Sequence, residues 1–203
     1  TIKPEAEWMT PKIFPTTDEP SLVINDAWQE RAVCSVLVNF GHKIYDDNSG
    51  ISVAQYILDS IQDVLSYFDI AQYQLIINEV STLIASGKTP DHAWYTTHPN
   101  EQIREFAINV LSSPYVYASW DKKEMFLQTQ KMPDENYIND ANNALLRLQL
   151  RKSRRVIKEL KTYFDQATVE EVETDEYQIN MKVMQVLIQQ RNELANKLGM
   201  VTL

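Results

Sequence analysis

The sequence predicts an all-α protein: an N-terminal multi-helix bundle, then a long helix and a C-terminal helical hairpin. Three observations predict it. Apolar residues recur at three- and four-residue spacing from Trp28 onward, the period of a helix with one buried stripe. No Gly or Pro interrupts the chain from Asp134 through Leu198, so the last third favours long helices. No stretch reads as a strand-rich domain.

Residues 1–23 hold Pro4, Pro11, Pro15 and Pro20. Proline fixes φ and removes a donor, so this segment reads as an extended linker or arm, as expected of a piece of a longer protein. Residues 24–132 form the expected bundle subdomain. Asn25 or Asp26 can cap a first helix running to Phe40 and stopped by Gly41, with Trp28, Ala32, Val36, Leu37 and Phe40 as its buried stripe. A polar loop, Asp46 to Gly50, follows. Ser52 caps a second helix to about Phe68, and a third runs from about Ala71 to Ser86 and ends at Gly87. Thr89-Pro90 signals the start of a short helix with Trp94 and Tyr95. A fifth helix follows His98-Pro99-Asn100 and ends at Ser113-Pro114. Residues 114–133, with Tyr115, Tyr117, Trp120 and Phe126, show no period and read as irregular chain or short turns.

Residues 133–203 form the expected hairpin subdomain. One helix over all 65 residues from Asp134 to Leu198 would reach roughly 98 Å, so a break is expected. It falls between Ala167 and Glu176, where Glu170, Glu171, Glu173, Asp175 and Glu176 crowd together with Val169, Val172 and Thr174. The first long helix carries Ile138, Ala141, Leu145, Leu148, Val156, Leu160 and Phe164, and the second Tyr177, Met181, Met184, Leu187, Ile188, Leu194 and Leu198. Hairpin exchange between two copies in a homodimer stays open on this pattern.

Composition narrows the function. Acids number 28 and Lys plus Arg 19, for a net charge of −9, which repels phosphate backbones unless the cations are segregated. The single cysteine, Cys34, excludes an intrachain disulfide and a Cys-rich zinc module, and fits a reduced, cytoplasmic setting. No apolar run approaches the ~20 residues that span a bilayer. The three histidines, His42, His92 and His98, lack a Glu-x-x-His or His-Glu-x-x-His context. No phosphate-cradling glycine loop or Gly-x-Ser-x-Gly elbow occurs. The expectation is a non-enzymatic chain with no cofactor and no metal.

Two surfaces stand out. Arg147, Arg151, Lys152, Arg154, Arg155, Lys158 and Lys161 fall within 15 residues, opposed by Glu159 alone. At roughly 100° per residue, Arg147, Arg151, Arg154, Arg155 and Lys158 share one face. A solvated face, or pairing with the chain's own acids, is the plain reading; weak contact with nucleic acid or an acidic partner is the other. No aromatic is interleaved on that face, which disfavours a single-strand-binding platform. On the last helix and tail, Tyr177, Met181, Met184, Lys197, Leu198, Val201 and Leu203 are candidate partner contacts, with packing inside the chain as the alternative.

One resemblance sharpens this. Glu30-Arg31, Val36-Leu37 and Phe40-Gly41 are followed by Ser52-Val53-Ala54-Gln55-Tyr56-Ile57 and Tyr73. Then come His98-Pro99-Asn100-Glu101-Gln102-Ile103, Leu111-Ser112-Ser113-Pro114-Tyr115, Ser119-Trp120 and the closing Leu194-Ala195-Asn196-Lys197-Leu198-Gly199-Met200-Val201. In order and spacing, over roughly residues 26–203, these resemble the C-terminal helicase-binding domain of bacterial replicative DNA primase. The resemblance implies a helical bundle joined through a long helix to a hairpin, and docking of that hairpin on the N-terminal collar of the hexameric replicative helicase. It also implies that the bundle modulates the helicase and that the zinc-binding and RNA-polymerising parts lie upstream. The implied setting is the cytoplasmic replisome.

Overall fold

In the computed structural model, the described residues are 26–112, 133–168, 172 and 174–200. The expected arm over residues 1–23, the aromatic stretch 114–132, three acids of the expected break (Glu170, Glu171, Glu173) and the tail residues Val201 and Leu203 lie outside them.

Helix α1 (Ala27–Phe40) runs through the middle of the bundle. Its buried positions are Glu30, Val33, Cys34, Val36, Leu37 and Val38. This corrects the expected stripe: Trp28 is 77% exposed and Ala32 is exposed too. The buried arc instead centres on Glu30, Val33, Cys34 and Leu37, and the acid within it disguised the true face. Gly41 follows in right-handed geometry, with φ −54°. Its role is close approach: a Cβ there would sit 2.4 Å from the Leu37 carbonyl oxygen and 3.5 Å from Ala54 Cβ. Burial, with Glu30 nearby, pushes the Cys34 thiol far above its ordinary value, so it behaves as an inert core group.

The expected polar loop is the tip of a two-stranded antiparallel ribbon, β1 (Ile44–Asp46) and β2 (Ile51–Ser52). Asp46 accepts from the Ser49 hydroxyl at 2.6 Å, and Gly50 turns the chain with φ +68°. Ser52 caps α2 (Val53–Ile61), accepting from the Gln55 amide. That helix is shorter than expected, because the chain tightens into a 3-10 turn over Gln62–Tyr67. Helix α3 (Ala71–Ala85) is followed by Gly87 with φ +77°. The short helix α4 (His92–Thr96) is capped by Asp91, not by Thr89. Helix α5 (Glu101–Leu111) is capped by Asn100. The His98-Pro99-Asn100 block is a structural joint: His98 is buried, its Nδ1 accepts the Asn100 amide, and Arg104 donates to its carbonyl.

Helix α6 (Pro133–Gln166) and helix α7 (Asp175–Lys197) are the expected hairpin, broken where expected. Thr174 caps α7 by accepting from the Tyr177 amide. The first half of α6 belongs to the bundle core, through Ala141, Ala144, Leu145 and Leu148. Helix α6 thus serves the bundle core with its first half and the hairpin with its second. The ribbon locks to the same helix: Tyr45 stacks on Tyr56 at 3.7 Å, and both hydroxyls donate to Asn142 Oδ1.

Candidate interaction surface

The middle of α6 gathers most of the ion pairs seen among the described residues. Lys152 is buried and reaches Glu30 at 2.8 Å and Asp26 at 3.1 Å. Arg151 pairs with Asp26 at 2.7 Å, and Arg155 pairs with Asp69 and with Glu159. Glu30 also accepts the backbone amides of Asp69 and Ile70, at 2.7 and 3.1 Å. These amides belong to Ile70, the N-cap residue of α3, and to the residue before it; an acid from α1 thus sits at the start of α3, with the helix dipole in its favour. Asp69 in turn accepts the Asp26 amide. One network thus ties the starts of α1 and α3 to the centre of α6.

Two members of the basic stripe, Arg151 and Arg155, are therefore paired with the chain's own acids. Arg147, Arg154 and Lys158 are exposed, and no ion pair joins them to a described residue. The stripe left open to a partner is three cations long.

The network has a pH signature. Burial raises the Asp69 carboxyl, but the Arg155 hydrogen bond, the Asp26 amide and the Lys152 and Arg155 charges outweigh it and hold the pKa below the ordinary value. A depressed folded pKa stabilises above the unfolded pKa, about 3.9 for Asp, and that stability is lost as pH falls through the folded value. The melting temperature should therefore drop below about pH 4 more steeply in the wild type than in Asp69→Asn. Parallel curves in a thermal series would contradict the assignment.

Helix α7 has two apolar faces. Tyr177, Met184, Ile188 and Ala195 share the side that packs on α6: the Tyr177 ring lies 4.9 Å from that of Phe164, Met184 and Ile188 are half-buried, and Ala195 is buried. Among the sequence candidates, Tyr177, Met181, Met184 and Leu198 are half-buried and Lys197 is exposed. On the opposite side Ile179, Val183 and Val186 are 59%, 43% and 55% exposed. Sequence reasoning missed these three. Their 4–3 spacing was a signal, but it is interleaved with the stripe that binds α6.

Farther along α7, Gln190, Glu193, Leu194 and Lys197 border an open cleft of about 280 Å³ of mixed character, whose other wall is Ser60, Val64, Gln149 and Ser153. Among the described residues no group of three or more His, Cys, Asp or Glu side chains converges on a metal-sized site, and no helix is long and apolar enough to cross a membrane.

The fold and its surfaces define an all-α domain whose terminal hairpin carries one face turned inward and one turned out. The chain belongs to the family described as Domain of unknown function (DUF8430), matched over residues 16–201. No curated protein and no solved structure matches it.

Proposed function

We propose that this chain is a non-catalytic interaction domain of a bacterial DNA primase, which docks on the N-terminal collar of the hexameric replicative helicase. It recruits primase to the replication fork and modulates the helicase, while the polymerising and zinc-binding parts lie elsewhere in the parent enzyme. The reading rests on the ordered motifs that resemble primase helicase-binding domains and on the order of bundle, long helix and hairpin. The observation that carries it is the second apolar face of α7, left exposed on a hairpin whose other face is already packed. Recruitment renewed at each priming event calls for a moderate, reversible interface, and a short apolar ridge with polar flanks is of that kind. Internal pairing of Arg151 and Arg155 weighs against the alternative, a single-stranded nucleic-acid module built on the 147–161 stripe.

Calorimetry of this chain against the replicative helicase of the same organism, at two salt concentrations, tests the proposal. Saturable binding with fewer chains than helicase subunits is expected. No heat at either salt, with both proteins folded, would overturn it. Tight single-stranded DNA binding with a steep salt slope would favour the alternative.

A further inference from the structure

The basic stripe on α6 runs straight. Arg147, Arg151, Arg154, Lys158 and Lys161 follow one another at spacings of four and three, so they form a row along one face, about 21 Å long at 1.5 Å per residue. Arg151 is taken by Asp26. Lys161 is exposed like Arg147, Arg154 and Lys158, and no ion pair joins any of these four to a described residue. The next position in the same row, four residues on, is an acid, Asp165.

Beyond the row the sign reverses. From Thr162 through Met181 the chain has six acids and no cation. Asp165, Asp175 and Glu176 are exposed, and none of the three is paired with a described residue. The Tyr177 ring lies 4.9 Å from that of Phe164, so Asp175 and Glu176 stand at the level of Asp165, about one turn beyond Lys161. Asp165 does not neutralise the row from within: a cation four residues N-terminal to an acid is the weaker order on a helix.

We infer that the row receives a second copy of this chain, with the two α6 helices antiparallel about a two-fold axis near residue 163. In that arrangement Asp165 of each copy faces Lys161 of the other, and the acids beside Asp165 reach toward Lys158. A two-fold pairing makes every such contact twice. Each hairpin stays folded on itself, with Tyr177 packed on its own Phe164, so no helix is exchanged. The inference stands apart from the proposed function and needs no helicase.

Charge selects this occupant. The complement of the row is carried by the same chain, exposed and within a turn of its end. A nucleic-acid backbone laid along the row would run into those acids and into a net charge of −9. Exposed ion pairs are individually weak and are screened by salt, so the pairing is weak and salt-sensitive.

Sedimentation of the whole chain tests it at about 0.01 M salt, where charges act over about 30 Å, and at about 1 M, where they act over about 3 Å. The wild type should self-associate at the low salt and be monomeric at the high. Lys161→Glu and Asp165→Lys, both at exposed positions, should each keep the wild-type circular dichroism and weaken self-association at least tenfold, because each sets like charges face to face. Mixing the two variants should restore association, since each then meets its opposite. Thr162→Cys, beside the axis, should give a disulfide-linked dimer on oxidation, with the buried Cys34 taking no part. A wild type that is monomeric at both salts would overturn the inference, as would a dimer that survives high salt or one that neither charge variant disturbs. A monomer that binds single-stranded DNA at low salt, and loses it in Arg154→Glu, would give the row to nucleic acid and overturn it too.

Discussion

Glu30→Ala should cost about 3–5 kcal/mol of folding stability, the range found when one partner of a buried ion pair is removed. Glu30 is fully buried. Its loss removes the nearest counter-charge of the buried Lys152 ammonium, which keeps Asp26 at 3.1 Å and Asp69 at 3.7 Å, and leaves the Asp69 and Ile70 amides without their acceptor. Domains of this kind hold about 5–15 kcal/mol in all, so the variant should melt far below the wild type. Adding Lys152→Met to Glu30→Ala should recover part of the loss by removing a buried charge that has lost its closest partner. Recovery stays incomplete, because the two amides remain unpaired and each costs about 1–3 kcal/mol if buried. Urea denaturation of the two singles and the double measures the coupling. A Glu30→Ala cost under about 1 kcal/mol would show that the network does not hold the fold together.

Leu148→Ala is the second large effect. Leu148 is fully buried on the face of α6 that enters the bundle core. Removing its side chain should cost about 2–5 kcal/mol through lost burial and the cavity left behind. For a chain of this size that is a fall of roughly 5–20 °C in melting temperature. Val183→Ala is the contrast, since an exposed position on the outward face of α7 should move stability by no more than about 0.5 kcal/mol. Similar losses in both would mean that this face is already packed in the isolated chain.

Much of the fold was legible in local pattern. Helices α2, α3 and α5 and the break between α6 and α7 follow from apolar period and end signals such as Ser52, Gly87 and Asn100. The orientation of α1 was not legible. Its buried arc is centred on a glutamate whose Lys152 partner lies 122 residues away, and no local window can reveal such a pairing. The ribbon at Ile44–Ser52 was hidden for a related reason: its strands are three and two residues long, too short for alternation to register, and it is held by Asn142 and Tyr137 of α6. The basic stripe was visible as a run, but its neutralisation by Asp26 and Asp69 depends on tertiary placement. On α7 the run from Tyr177 to Ile188 contains two stripes at once. Period alone shows both, and only the packing of Tyr177 against Phe164 tells which is taken and which is open.

The most direct test of the central claim is amide hydrogen exchange of the chain alone and bound to the hexameric helicase. The expected result is slowed exchange concentrated in α7 between Ile179 and Val186, with the Arg147–Lys158 segment and the exposed faces around Trp28 and Ile108 unchanged. Protection that leaves α7 untouched and falls on the basic stripe or on the α1 and α5 faces would contradict it.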